Sequence, residues 1–373
     1  MPGALDGVVV ADFTRILAGP YCTMLLADLG AEVIKIERPE VGDDTRTWGP
    51  PFDPDGRATY FESVNRNKTS RVLDLGSPAG REAAGDLARS ADVLIENFTP
   101  GTMARFGLGF TQIQPVNPGL VYCSITGFGS GAGAALPGYD PVVQAVGGLM
   151  SVTGPDSDHP SKAGVAVVDV IAGLHAAMGI LAALRHRDRT GEGQLLEVNL
   201  LQSLLSGLVN QTTGYVAAGV VPTMRGNEHP SIAPFETFPT ADRPIMICAG
   251  NDRQFAALCR VLGLDELPDD DRFRRNKARV AHRLELVAVL ADTLATRPAA
   301  DWLARLAEVG VPAGPVNSIA EAVALAEDLG LDPVVEIAGP DRTTPSRTIA
   351  HPVHYSATPP RYELPPPSLP ASS

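Results

Sequence analysis

Asp169 is the residue of this chain best placed to do chemistry. It follows the run Val165-Ala166-Val167-Val168 and opens the apolar stretch that continues through Val170 and Ile171. The pattern predicts a strand over 165–168 running straight into a helix over 170–185. In open α/β sheets, ligands bind where strands end and helices begin. Burial among valines raises a carboxyl pKa, whereas the free N–H groups of a helix N-terminus favour the ionised form. A desolvated carboxylate held in this way can serve as a nucleophile. A plain helix-capping aspartate satisfies the same local pattern.

A second group of residues is cationic. The chain carries 30 Lys and Arg against 43 Asp and Glu, a net charge of −13, which argues against general nucleic-acid binding. Yet Lys35, Arg38, Arg46, Arg66, Lys68, Arg71 and Arg105 cluster near the start. Local cations in an acidic protein suit a small polyanion, because the field at the site governs capture. Each one taken singly also fits a solvated surface charge. Lys68, within Asn65-Arg66-Asn67-Lys68-Thr69-Ser70, is the member that most resembles a ligand-binding loop residue.

Other chemistries are disfavoured. No GxGxxG follows the first strand, where the chain reads Asp12-Phe13-Thr14-Arg15-Ile16-Leu17-Ala18-Gly19-Pro20, so a nicotinamide dehydrogenase is not expected. No GxxxxGK[ST] occurs, and Ser124 to Gly131 lacks the GxSxG order of a hydrolase elbow. Cys22, Cys123, Cys248 and Cys259 are scattered in apolar stretches and read as buried thiols. No HxxxH-type His pair lies on a helix, His351 and His354 fall in the Pro-rich tail, and Asp269-Asp270-Asp271 reads as a cap, so no metal is expected. The first residues lack the basic region of a secretory leader. The apolar run 163–184 is long enough to span a bilayer, but Asp169 inside it would cost about 2.5–3.5 kcal/mol. A buried core segment, no membrane and a cytoplasmic location are expected.

The elements that must position these residues alternate. The continuous apolar run Val8–Ala11 predicts a parallel strand covered on both faces, and Glu32–Ile36, Arg71–Leu75, Asp92–Glu96, Leu120–Ile125 and Gln194–Val198 read as further strands. Helices are predicted over 21–29, 80–88, 170–185 and 200–217. Strands alternating with short helices imply a doubly wound, Rossmann-like α/β layer. With 373 residues there is room for two domains. The expected organisation is a large α/β domain over 1–200, a linker helix over 201–222 and a small, mostly helical domain over 223–325. A return segment and Pro-rich tail over 326–373 would then pack on the large domain.

Beyond these patterns, the chain resembles the class III CoA-transferases, the formyl-CoA and carnitine CoA-transferase type. The resemblance rests on Asp12-Phe13-Thr14-Arg15, Ala18-Gly19-Pro20 and Gly30-Ala31-Glu32-Val33-Ile34-Lys35-Ile36-Glu37-Arg38-Pro39. It continues through Asn65-Arg66-Asn67-Lys68, Leu73-Asp74-Leu75, Glu96-Asn97-Phe98, Gly138-Tyr139-Asp140, Val168-Asp169-Val170 and Gly310-Val311-Pro312-Ala313-Gly314-Pro315-Val316. It covers nearly the whole chain.

The resemblance implies a transferase that moves CoA from an acyl-CoA to a carboxylic acid, in a homodimer of two interlocked chains. It implies CoA as substrate and no permanently bound cofactor. Asp169 matches the catalytic aspartate, and Ala18, Arg38, Leu73, Asn97, Phe98, Arg105 and Tyr139 match CoA contacts, with Arg38 and Arg105 on the phosphates. Pro137 stands where a relative offers Lys, and Leu17 where the formyl branch has Gln. The formyl branch's glycine loop is replaced by Arg225 to Pro234. This segment resembles a branch using dicarboxylic acids, with Arg225 and His229 expected to hold the distal carboxylate. The alternatives are a 2-methylacyl-CoA racemase, which expects His where Tyr139 stands, and a non-catalytic CoA-binding protein.

Overall fold

The computed structural model describes residues 2–370 and divides into two compact units. One comprises residues 1–149, 162–221 and 332–373; the other comprises 150–161 and 222–331.

The first unit is built on a six-stranded sheet of order β3-β2-β1-β4-β5-β6. Its strands are β1 (Val9–Asp12), β2 (Glu32–Glu37), β3 (Lys68–Val72), β4 (Val93–Glu96), β5 (Val121–Thr126) and β6 (Leu195–Asn199), all parallel. Chain order reverses between β1 and β4, which creates a crevice beyond their C-terminal ends. Helices cover both faces, which is why the central strands read as unbroken apolar runs. On one face the helices Ala18–Asp28 and Val167–Thr190 seal Val10, Val33, Val93, Ile95 and Val121. They approach closely at Gly173, where a Cβ would lie 2.6 Å from the Ala18 carbonyl oxygen. On the other face, helix Pro78–Ser90 places Ala84, Leu87 and Ala88 over Ala11 and Leu94. Ser77 caps that helix by accepting from the Gly80 amide at 3.0 Å, and Pro78 occupies its first turn, where no amide donor is needed.

Four expectations change, the first being that the strand expected over 71–75 runs from Lys68 to Val72. The valine run at 165–168 is not a strand: the helix begins at Val167, and Val165 is exposed in the preceding loop. The single helix expected over 200–217 is two, Leu200–Gly207 and Val209–Ala218, broken where Val209 takes φ +40°. The first helix starts at Ala18 rather than Tyr21, because Pro20 is tolerated within a first turn.

The second unit contains an antiparallel sheet of β7 (Phe235–Phe238), β8 (Ile245–Cys248) and β9 (Ala313–Pro315), in that order. Phe238, Ile245, Ile247, Phe255, Leu286, Leu290, Trp302 and Leu306 form its core with helices Asp252–Leu262, Arg283–Leu294 and Ala299–Glu308. Asp270 accepts from the Arg272 amide at 2.9 Å and pairs with the Arg272 guanidinium at 2.7 Å, so it caps a turn and not a helix.

The return segment adds a hairpin of β10 (Val334–Ile337) and β11 (Ser346–Ile349) to the first unit. Among the described residues the Pro-rich tail then runs along that unit without helix or strand. The Asn67 amide donates to the Leu364 carbonyl at 2.7 Å, and Arg46 donates to the Pro367 carbonyl at 3.0 Å.

Candidate active site

The crevice between β1 and β4 is built by the loops that follow them. Asn97, just past β4, accepts from the Arg15 amide at 2.9 Å and donates to the Arg15 carbonyl at 2.8 Å. This reciprocal pair holds the β1 loop in a strained form, with Ile16 at φ +71°. A β-branched residue in that region is costly and marks a site worth explaining. The opposite wall depends on two glycines: a Cβ on Gly127 would sit 2.6 Å from the Gly138 Cα, so these chain segments touch directly.

Between these walls lies a cavity of about 340 Å³ lined by Arg15, Ala18, Asn97, Phe98, Tyr139 and Asp169, among others. Beside it, a second cavity of about 210 Å³ is lined by Arg38, Leu73, Asp74 and Phe106. Arg15 and Phe98 line both. Seven of the eight positions expected around CoA and the nucleophile thus line these two cavities of unit 1: Ala18, Asn97, Phe98, Tyr139 and Asp169 the first, Arg38, Leu73 and again Phe98 the second. Arg105 lies outside both linings, on the short helix Thr102–Arg105, and donates to the Thr102 hydroxyl at 2.9 Å.

Asp169 is half-buried in the first turn of its helix, and its electrostatics differ from the expectation. The amide donors of that turn do not serve its own carboxylate. Asp140 takes them: its Oδ2 accepts from the Val168 amide at 2.7 Å and the Asp169 amide at 3.2 Å. Gln144 donates to the other Asp140 oxygen and accepts from the Ala163 amide at 2.8 Å. Burial, and then the neighbouring Asp140 charge, push the Asp169 carboxyl up to about 7. A carboxylate of that basicity is a stronger nucleophile than an ordinary surface aspartate and still ionises near neutrality. Asp140 escaped notice as a functional residue because its partner helix lies 28 positions away; its burial beside a polar Gln144 could not be read from the sequence. Tyr60 lies close enough to Asp169 for that charge to raise its phenol pKa further, after burial has done so.

The cationic cluster is mostly a structural device. Lys35 is buried on Asp43 at 2.8 Å, Lys68 on Asp12 at 3.2 Å and Arg66 on Asp28 at 2.6 Å; Arg46 pairs with Glu37 at 2.6 Å. A buried cation requires such a partner, so these four are committed within the fold, Lys68 included. Of the seven, only Arg38 lines a cavity with its side chain near half exposed, paired to Asp44 at 2.7 Å.

Arg225 and His229 belong to the second unit. Arg225 is exposed. The His229 ring stacks obliquely on Phe235 at 5.1 Å, and its Nδ1 accepts from the Ser231 amide at 3.1 Å. The proton therefore belongs on Nε2, which remains a donor.

Residues 5–372 match the family described as CoA-transferase family III. The chain is 43% identical to the succinate–glutarate CoA-transferase of Agrobacterium fabrum over 98% of this chain and 92% of that protein. It is 41% identical to the acetyl-CoA:oxalate CoA-transferase of Acetobacter aceti, over 90% of this chain and 87% of that protein. The crystal structure of a CAIB/BAIF family protein from Brucella suis superposes with a TM-score of 0.88 at 41% identity, covering 99% of this chain and 97% of that one. The parallel sheet, its switch-point crevice and these relatives agree, and the chain belongs to CoA-transferase family III as an acyl-CoA-dependent enzyme.

Proposed function

We propose that this enzyme exchanges CoA between dicarboxylic acids, with Asp169 as the covalent nucleophile. The observation that carries the proposal is the Asp169 carboxyl, pushed up to about 7 and lining a cavity that shares Arg15 and Phe98 with the cavity lined by Arg38. The Asp169 carboxylate attacks the donor thioester carbonyl, CoA leaves as thiolate, and an aspartyl–acyl anhydride forms. The thiolate then attacks the aspartyl carbonyl of that anhydride. The donor acid leaves as a carboxylate, and an aspartyl-CoA thioester remains. The acceptor carboxylate attacks this thioester, again expelling thiolate, and the thiolate finally takes the acceptor acyl group and frees Asp169. The exchange begins and ends with one thioester and one carboxylate, so its overall acyl energy is nearly balanced.

On this reading Ala18, Arg38, Leu73, Asn97, Phe98, Arg105 and Tyr139 contact CoA, with Arg38 and Arg105 on its phosphates. Two relatives act, by name, on succinate with glutarate and on oxalate, which supports dicarboxylates here. Arg225 would hold the distal carboxylate bidentately and His229 would add its Nε2 donor. The homodimer belongs to the same proposal: Leu174, Met178 and Leu181 form an exposed apolar stripe on the Asp169 helix, at a spacing that suits burial against a second copy.

The test is kcat/KM for succinate, glutarate and butyrate as acceptors in wild type and Arg225→Ala. Glutarate should exceed butyrate by about tenfold or more, as one charge-assisted pair allows, and Arg225→Ala should close the gap. Equal rates for butyrate and glutarate in wild type would remove the dicarboxylate assignment.

A further inference from the structure

Arg15 is absent from the residues that the family resemblance brings to CoA, yet it is the only cation lining both cavities among the described residues. Its backbone is fixed by Asn97 through both its N–H and its C=O, and its guanidinium lies 5.2 Å from the centre of the Phe98 ring. One guanidinium Nη donates to Asp44 at 3.2 Å, while Nε is buried with no hydrogen-bond partner. The other oxygen of the same Asp44 carboxylate accepts from Arg38 at 2.7 Å. A single carboxylate thus bridges two arginines at the seam between the cavities.

Neighbouring Asp43 shows what a permanent ion pair looks like here. It is fully buried on Lys35 and also accepts from the Thr45 amide and hydroxyl, at 3.0 and 2.7 Å. Asp44 differs: its side chain and those of Arg15 and Arg38 are 36%, 33% and 47% exposed. Pairs this open are weak and exchange readily with a stronger anion. A phosphoanhydride group offers more charge than one carboxylate and acceptors enough for two guanidinium forks and the idle Nε.

Resting on the reading that CoA occupies these cavities, we propose that Arg15 and Arg38 clamp the diphosphate of CoA, and that Asp44 is the internal counterion this diphosphate displaces. The nucleotide then lies on the Arg38 side, the pantetheine arm on the Asp169 side, and Arg15 holds the link between them. Asp44 holds both guanidiniums through its two oxygens and competes with CoA for them.

The experiment is titration calorimetry with CoA, adenosine 3′,5′-bisphosphate and pantetheine at one fixed ionic strength. Wild type is compared with Arg15→Ala, Arg15→Lys and Asp44→Asn, and melting temperatures confirm folding. Arg15→Ala should weaken CoA about tenfold or more and leave pantetheine unchanged. The bisphosphate, which lacks the diphosphate link, should change by less than about threefold. Arg15→Lys should recover part of the loss, and Asp44→Asn should tighten CoA. Unchanged CoA affinity in both Arg15 variants, or weaker CoA binding by Asp44→Asn, overturns the clamp while leaving CoA binding itself intact. Wild type that binds no CoA overturns the underlying reading as well.

Discussion

Two regions of the first unit handle buried charge in opposite ways. Beneath β1, β2 and β3, every buried cation meets a carboxylate: Lys35 meets Asp43, Lys68 meets Asp12 and Arg66 meets Asp28. At the start of the Asp169 helix, a half-buried carboxylate instead faces another carboxylate, Asp140, and among the described residues no cation compensates Asp169. Matched charges hold a fold in register and stay chemically silent, since each stabilises the other's ionised form. An unmatched one is left with raised free energy and raised basicity, and there the chain can do work on a substrate. The contrast recurs between adjacent residues, with Asp43 locked on buried Lys35 and Asp44 partly exposed on Arg15 and Arg38.

The contrast can be broken most severely at Asp169. Asp169→Asn keeps size and helix geometry and removes the nucleophile; transfer should fall by at least about 10³-fold, with CoA affinity within about tenfold by calorimetry. On the matched side, Lys68→Ala should leave activity chemistry alone and attack the fold. It strands Asp12 without its cation, an expected loss of about 3–5 kcal/mol, read from the urea midpoint of unfolding.

A smaller effect is a matter of pH. Transfer requires the Asp169 carboxylate, so kcat/KM should rise with pH through a midpoint of about 7. Asp140→Asn preserves an acceptor for the two helix amides but removes the like charge, so the midpoint should move towards lower pH. The stability consequence has a definite sign. Because the folded carboxyl lies above its ordinary 3.8, ionising it between pH 4 and about 7 destabilises the folded state. Asp169→Asn should therefore raise the melting temperature at pH 8, by about 2–4 °C for each kcal/mol relieved, and leave it unchanged at pH 4. Smallest of all is Arg71→Ala. That residue is exposed, and its replacement should change stability by no more than about 0.5 kcal/mol in thermal unfolding.

Much of the architecture was legible because central parallel strands are covered on both faces, which leaves runs such as Val93-Leu94-Ile95 nearly without polar interruption. The same logic misled at Val165 to Val168, since a β-branched run looks alike whether it is a strand or the approach to a buried helix. Short strand β7 was hidden inside a segment rich in Gly, Pro and Asn. Asp169 could be singled out because one acidic residue interrupts a long apolar stretch. Its environment could not, because the capping residue Asp140 arrives from a different helix. The cations were legible as a cluster and illegible as pairs: Lys68 and Asp12 are 56 positions apart, and only the parallel crossover brings them together.

The central claim is that Asp169 becomes acylated during turnover. The direct measurement is to incubate the enzyme with succinyl-CoA and no acceptor, quench with hydroxylamine and map the modified peptide by mass spectrometry. The account predicts a hydroxamate at Asp169, formed from the anhydride or the aspartyl-CoA thioester and absent in Asp169→Asn. Turnover that continues with no hydroxamate, or with the adduct on another residue, contradicts it.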